Sequence, residues 1–365
     1  MERAIKPLFP KDESDKLFHR IRERVNQAVS ELEPRRRKNL VIKAVLFPSL
    51  YLAAWITAVF RGYDLLVLYG CYFVMGLLLV IIFLNLIHDA AHGVLFQSKR
   101  WNRLYLRCFD LLGANSYVWS LRHTRLHHNY PNVMGWDSDV EQSSLARIFP
   151  HGPFSSIHKY QHIYLPFIYP LYLLNWLLVR DFKDYFNKRK IVWKVAVIPR
   201  REFVKLFFFK FLFLVYTIAI PKWLTGTSWG AAIGAFLVMV FTASIFSLLV
   251  LLSPHANTEN EFPLPDDTNK LPYSWFVHQL RHTNDVTQDN WFIRTFMGSF
   301  NYHVAHHLFP AVAHVYYPEV TDIIREEAER HGLPYRAYPL KVTLMNHYRL
   351  LRQNRRPWTI FDETM

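Results

Sequence analysis

Cysteine is nearly missing from this sequence. Cys71 and Cys108 are the two in 365 residues, and neither stands in a CxxC pair. Thiolate metal sites and dithiol redox work are therefore excluded, and both residues read as structural filler. Acidic residues are also scarce, 29 Asp and Glu against 43 Lys and Arg, for a formal charge of +14. Such an excess suits nucleic acid or an anionic membrane. The basic residues flank apolar segments and form no groove interleaved with aromatics, so a membrane surface is the expected partner and nucleic acid is not. No secretory signal opens the chain, because its first residues are charged and the first apolar run begins only near residue 40. The N-terminus is expected to stay in the cytoplasm. No repeat of solenoid type is present.

What the sequence has in quantity is apolar length. Hydrophobic residues make up 51% and aromatics 16%, and several runs reach the roughly 20 residues a helix needs to cross about 30 Å of hydrocarbon. Leu40 to Phe60 is one such run, interrupted by Lys43, whose ammonium is expected to reach toward the headgroups. Leu65 to Ile87 is the second and carries no charge. Phe203 to Ile220 contains Lys205 and Lys210, both expected to snorkel. A turn over Pro221 to Gly230 then leads to the fourth run, Trp229 to Leu252. A further stretch, Ile163 to Val179, is rich in Tyr and Trp and holds Pro166 and Pro170; it reads as interfacial or re-entrant. Lys and Arg crowd the first 39 residues and 179–202, whereas the loops at 61–64 and 221–228 hold one each. That bias puts the termini and the middle region on the cytosolic side.

The expected fold is all-α and integral to the membrane, with four transmembrane helices in two hairpins and a cytosolic helical domain. The expected divisions are a cytosolic amphipathic segment 1–39, hairpin 40–87, cytosolic region 88–202, hairpin 203–252 and cytosolic region 253–365. Within the first, Leu17, Phe18, Ile21, Val25, Val29 and Leu32 recur at helical spacing, with Asp12 or Ser14 as the cap. Such a helix lies on the membrane surface or packs on the cytosolic domain. Near the end, PEVTDIIREEAERHG predicts a helix with Pro318 in its first turn and Gly332 beyond its last. It is expected to cover the site, and the basic segment 349–356 is expected to be solvated or membrane-facing.

Histidine carries the chemistry. HDAAH at 88–92, HTRLHH at 123–128 and HVAHH at 303–307 hold eight of the eighteen histidines. Residues three and four apart share a helix face, so His88/His92, His123/His127 and His303/His307 can each aim two ring nitrogens at one point, with His128 and His306 beside them. Imidazole suits iron, copper, nickel and zinc, and eight ligands exceed the three or four of a tetrahedral zinc. Two metals fit the count better. The topology brings all three clusters to one face of the membrane.

With this order of clusters between paired apolar runs, the chain resembles the membrane fatty acid desaturases, whose three histidine boxes ligate a non-haem diiron centre. Similarity covers most of residues 40–345, and FNYHVAHHLFPAVAHVYYP at 300–318 looks most like the third box of bacterial acyl-CoA (linoleoyl-CoA type) desaturases. The resemblance implies two Fe ions, O2 as co-substrate, and His88, His92, His123, His127, His128, His303, His306 and His307 as ligands. It also implies one more histidine between the fourth run and the third box. His255 fits that place, and His278 with His282 competes for it. Asp89, Asp137, Asp139 and Asp285 are candidates to hold the imidazoles from outside. His19, His151, His158, His162, His314, His331 and His347 read as structural.

Front-end relatives often begin the third box with Gln where this chain has His303, so the position of the double bond does not carry over. No His-Pro-Gly-Gly haem loop occurs, which implies a separate electron donor of ferredoxin or cytochrome type. The implied substrate is a fatty acyl-CoA, an acyl chain on acyl carrier protein, or a phospholipid acyl chain. The implied location is a bacterial inner membrane, with the active site on the cytosolic side. Hydroxylation is the alternative outcome of the same ligand set. HDAAH also matches the HExxH zinc-protease spacing with Asp for Glu, and a metal transporter would instead place its polar residues along the spans.

Overall fold

A computed structural model describes residues 5–140 and 143–357. The first element, α1, runs unbroken from Glu13 to Arg61. Asp12 caps it: its carboxylate accepts from the Ser14 N–H at 2.8 Å, and the Asp15 side chain accepts from the Asp12 N–H in return. The amphipathic segment and the first apolar run are thus one helix. Its first half packs on the rest of the protein, with Leu17, Phe18, Ile21 and Val25 buried against the C-terminal part of the chain. The Phe18 ring lies 5.0 Å from Phe276 and 5.5 Å from Phe309, and Arg36 binds the Glu319 carboxylate at 2.6 Å.

Asp64 caps α2 (Leu65–Ala91) through the Leu66 N–H. After α3 (Lys99–Leu111) and the short α4 (Ser116–Leu121) comes α5 (Ser156–Phe186), an irregular helix. Pro166 lies within it and Pro170 opens a 3-10 turn, because proline removes a donor and clashes with the preceding turn. Then follow α6 (Arg200–Thr225) and α7 (Trp229–Leu251). Pro221 does not start a turn as expected; it sits at the beginning of the last α-helical segment of α6, and the turn waits for Gly226, whose φ of 69° only glycine adopts cheaply. Helices α1, α2 and α7 form the packed centre. A Cβ on Gly76 of α2 would lie 2.5 Å from the Met239 carbonyl of α7, so these two backbones meet directly there.

Among the described residues, five helical stretches are long and apolar enough to cross a membrane: Arg35–Arg61, Leu65–Ala91, Ser156–Phe186, Arg200–Thr225 and Trp229–Leu251. The third contains the stretch expected to be interfacial. Two of the intramembrane lysines depart from expectation, and for one reason: each meets fixed acceptors inside the protein. Lys43 Nζ binds Asn85 Oδ1 at 2.7 Å, the Arg294 carbonyl at 3.0 Å and His314 Nε2 at 2.9 Å. Lys210 Nζ binds Asp181 at 2.5 Å and the Gly113 carbonyl at 2.6 Å. Neither snorkels.

Beyond α7 lie α8 (Trp275–His282), α9 (Trp291–Phe296), α10 (His303–Leu308), α11 (Tyr317–His331) and α12 (Leu340–Gln353). Gly332 ends α11 with φ 63°, as its sequence predicts. Strands among the described residues are limited to β1 (Asp285–Val286) and β2 (Ala337–Tyr338), paired in parallel with Asp285 opposite Ala337.

Candidate metal centre

Two π turns set the first two boxes. One, Phe83–Ile87, leads directly into His88, and the other, Arg122–His127, carries the second box. Such turns widen a helix locally and are frequent at functional sites, though two more, at Trp176–Arg180 and Val215–Ala219, carry no box. In the second box, the His128 N–H reaches back five residues to the His123 carbonyl at 3.1 Å. The third box is the short α10, and His255 follows the end of α7.

The imidazoles converge in two groups. His88, His92, His123, His128 and His306 form one, and His127, His255, His303 and His307 the other, with candidate ligand atoms in each within 4.8 Å of one another. The groups adjoin: the rings of His128 and His307 are 4.6 Å apart, and those of His127 and His123 are 5.5 Å apart. His88/His92 and His303/His307 share a group as their spacing predicts. His123 and His127 fall in different all-histidine groups, yet they also share a third candidate set with Asp139, their rings stacked 5.5 Å apart at the seam between the two groups. His278 and His282 belong to neither; their rings stack at 3.8 Å, and they bind the Pro131 and His278 carbonyls respectively.

Each ring needs its tautomer fixed if a lone pair is to face inward. His123 Nδ1 donates to Asp139 Oδ2 at 2.8 Å, and His127 Nδ1 to Asp137 Oδ1 at 2.9 Å. His255 Nδ1 donates to the His282 carbonyl at 3.1 Å, and His307 Nδ1 to Gln279 Oε1 at 3.1 Å. Carboxylate and carbonyl oxygens only accept, so these Nδ1 atoms carry the proton. The Gln279 amide is oriented because its nitrogen donates to the His128 carbonyl at 3.1 Å. His306 Nδ1 meets the Tyr317 hydroxyl at 3.0 Å.

The inward nitrogens fit metal ions. Nε2 of His92, His306 and His307 is buried without a hydrogen-bond partner among the described residues. Other inward pairs face nitrogen to nitrogen: His88 and His123 at 3.1 Å, His128 and His123 at 3.2 Å, His255 and His303 at 2.8 Å. Two ligands at right angles on one ion, with bonds of about 2.1 Å, stand about 3.0 Å apart. Burial first, and then crowding by neighbouring imidazoles, drives His92, His128, His303, His306 and His307 well below the usual histidine range. Burial likewise takes His255 to about 3. Rings that stay neutral offer the lone pairs a metal requires. His127 differs: burial pulls it down, but the Asp137 carboxylate outweighs that and raises it. Burial would raise Asp139, yet His123, His127 and Arg122 hold it well below the carboxylate range. All-nitrogen sets of five and four suit iron better than magnesium or calcium, which take oxygen.

The acidic candidates divide. Asp137 and Asp139 hold the His127 and His123 rings, and Asp137 also accepts the backbone N–H groups of Asn132, Asp139 and Val140. Asp285 touches no imidazole ring; it accepts the Val304 N–H at 2.7 Å and the Tyr335 hydroxyl at 2.8 Å, and so anchors the start of α10. Asp89 makes no hydrogen bond to His88 and binds His314 Nδ1 at 2.8 Å. A carboxylate so engaged is not placed as a protease base. His314, read from sequence as structural, therefore links Asp89 to Lys43. Gln279 and Tyr317 escaped the sequence reading because a single amide and a single phenol carry no spacing signal.

Beside the imidazoles lies a cavity of about 520 Å³. His88, His123, His127, His255 and His303 line its inner wall, Trp176 and Leu251 are among its apolar lining, and Arg180 and Lys183 stand at a polar part of its rim. Trp119 lies flat against His123, ring centroids 5.0 Å apart.

A family model described as fatty acid desaturase matches residues 63–339. The sn-1 linoleoyl-lipid 6-desaturase of Synechocystis is 28% identical, with 88% of this chain and 89% of that protein covered. The sn-1 linoleoyl-lipid 6-desaturase of Arthrospira platensis is 30% identical over 83% of this chain and 82% of its own. An acyl-lipid (8-3)-desaturase of Physcomitrium patens is 27% identical over 85% of this chain and 65% of its own. Twin histidine groups on a helical, membrane-length scaffold and a matching family model over three quarters of the chain lead to one conclusion: this protein belongs to the fatty acid desaturase family.

Proposed function

We propose that this fatty acyl desaturase uses O2 to place a C=C bond in a lipid-linked acyl chain, with one iron in each histidine group. The observation that carries the reading is the pair of inward-facing imidazole groups on the wall of a cavity with apolar lining. When bound, two irons supply an oxidant strong enough to take hydrogen from an unactivated methylene. In balance, a –CH2–CH2– unit, O2, two electrons and two protons become –CH=CH– and two waters. The electrons come from a separate ferredoxin- or cytochrome-type donor.

The chain's own residues orient and exclude. Asp137, Asp139, Gln279 and the His282 carbonyl keep protons on Nδ1, so each Nε2 stays a lone pair. Trp119 and Phe300 pack on His123 and His303 and restrain those rings. Trp176 and Leu251 give the acyl chain an apolar wall that keeps water out. The relatives' names specify lipid-linked linoleoyl and acyl-lipid substrates, which favours a lipid-borne chain here over acyl-CoA or acyl carrier protein.

Parity supports four crossings in two hairpins. Boxes one and two precede α5, and box three follows α7, yet His306 packs 4.2 Å from His88, centroid to centroid. An even number of crossings must separate boxes that meet. With α6 and α7 as two, α5 lies in the interface or enters and returns, and the proline breaks within it suit that path. The divisions 1–39, 40–87, 88–202, 203–252 and 253–365 then keep their meaning as cytosolic and membrane parts, the site facing the cytosol of an inner membrane. Expression with an electron donor, followed by fatty acid profiling against His307→Ala and iron assay of both, tests the reading. New unsaturated chains lost in the variant are expected; unchanged profiles in folded, iron-loaded and reduced protein contradict it, and an alcohol product assigns hydroxylation instead.

A further inference from the structure

The metal cavity shares a wall with a second space. An apolar groove of about 390 Å³ runs between the proline-broken part of α5, the end of α7 and α12. Tyr169, Leu248, Leu252 and His347 line both the groove and the cavity. No Lys, Arg, Asp or Glu lines the groove; its outer side carries Ile245 and Leu249, 48% and 41% exposed on a membrane-length helix, with Tyr348 opposite. Phe167, 80% exposed, extends that apolar surface. Exposed aliphatic groups at this point of a membrane protein meet lipid chains, not water.

Two of the residues in the shared wall are joined by a hydrogen bond. Tyr169 donates its hydroxyl to His347 Nε2 at 2.6 Å, because His347 Nδ1 already donates to the Ala256 carbonyl at 2.6 Å. Ala256 follows His255, so the same ring also holds backbone beside the second histidine group. Pro166 and Pro170 remove two backbone donors from the segment carrying Tyr169, which leaves it fewer bonds to break on moving. The far end of α12 is fixed by contrast, with Gln161 donating to the Leu351 carbonyl at 2.8 Å and Asn354 to that of Ile148 at 2.6 Å.

We propose that this groove is the entrance by which an acyl chain of a membrane lipid passes sideways from the bilayer to the metal cavity, with the Tyr169–His347 bond as its bolt. The proposal rests on the desaturase reading for the chain's destination. It commits to bilayer lipid because no charged residue lines the groove, which abuts the cavity on one side and the exposed face of α7 on the other. A water-borne acyl thioester would use the polar rim at Arg180 and Lys183.

The test needs neither iron nor turnover. The full chain is placed in phosphatidylcholine vesicles containing a phosphatidylcholine with a diazirine midway along one acyl chain, irradiated, and its adducts mapped by peptide mass spectrometry. Adducts are expected on buried cavity residues such as Trp119 and Phe300. They should fall at least fivefold in Leu249→Trp and in Ile245→Trp, which fill the groove from outside, and rise about twofold in Tyr169→Phe. Cavity labelling unchanged in both tryptophan variants, or confined to the rim at Arg180 and Lys183, overturns the proposal. Labelling as predicted in a protein that, loaded with iron and reduced, never desaturates would leave the groove standing and sink the desaturase reading instead.

Discussion

Nε2 of His255 and Nε2 of His303 face each other at 2.8 Å, although 48 residues separate them. His255 has its proton on Nδ1, bound to the His282 carbonyl, so its Nε2 is a lone pair aimed at the centre of the second group. On that geometry we propose a ligand role for His255 and not for its sequence competitors. His255→Ala should lower bound iron from two per chain toward one. His278→Ala, whose ring is bound to the Pro131 carbonyl outside both groups, should keep two. Metal analysis of the two purified variants decides between them.

The carboxylates behind the second box should separate metal affinity from folding. Asp139 holds His123 and pairs with Arg122 at 3.5 Å, with no backbone N–H to it among the described residues, whereas Asp137 holds His127 and three backbone N–H groups. Asp139→Asn is expected to weaken iron binding about tenfold to a hundredfold, with a smaller loss in the thermal midpoint of the metal-free protein than Asp137→Asn because Arg122 keeps Asp184 as a partner. Asp137→Asn should lower both. Chelator competition and thermal unfolding read the two effects separately.

Gln279→Leu and Tyr317→Phe each remove the partner of one Nδ1, at His307 and His306. Weaker iron binding is expected in both, larger for Gln279→Leu because that change also strands the His128 carbonyl. Equal affinity to the parent protein would show that these rings need no outside support.

Two buried lysines should answer differently to the same change. Lys210→Met strands Asp181 and is expected to cost about 3–5 kcal/mol, most of it recovered in Lys210→Met/Asp181→Leu. Lys43→Met strands Asn85 and the Arg294 carbonyl and loosens His314 from its place behind Asp89. A loss of about 2–4 kcal/mol is expected there, together with reduced iron in the first group. Thermal unfolding of the three proteins, with iron assay, checks both.

The sequence made the boxes legible because eight histidines at helical spacing cannot be explained by packing. It also made the long apolar runs legible, since bilayer thickness fixes their length. His255 was visible only as one of three choices, because what selects it is the return of α7 to the metal groups. The π turns were not visible: nothing in SLRHTRLHH distinguishes a four-residue bond from a five-residue one, such as that from the His128 N–H to the His123 carbonyl. Lys43 and Lys210 read as snorkelling because their acceptors, Asn85, the Arg294 carbonyl and Asp181, come from distant segments. Gln279, Tyr317 and His314 belong to the same class of contact, made by tertiary packing alone.

Anomalous diffraction at the iron edge from crystals of the iron-loaded protein tests the central claim most directly. The account predicts two peaks, one among His88, His92, His123, His128 and His306 and the other among His127, His255, His303 and His307. A single peak, or iron bound away from these rings, would contradict it.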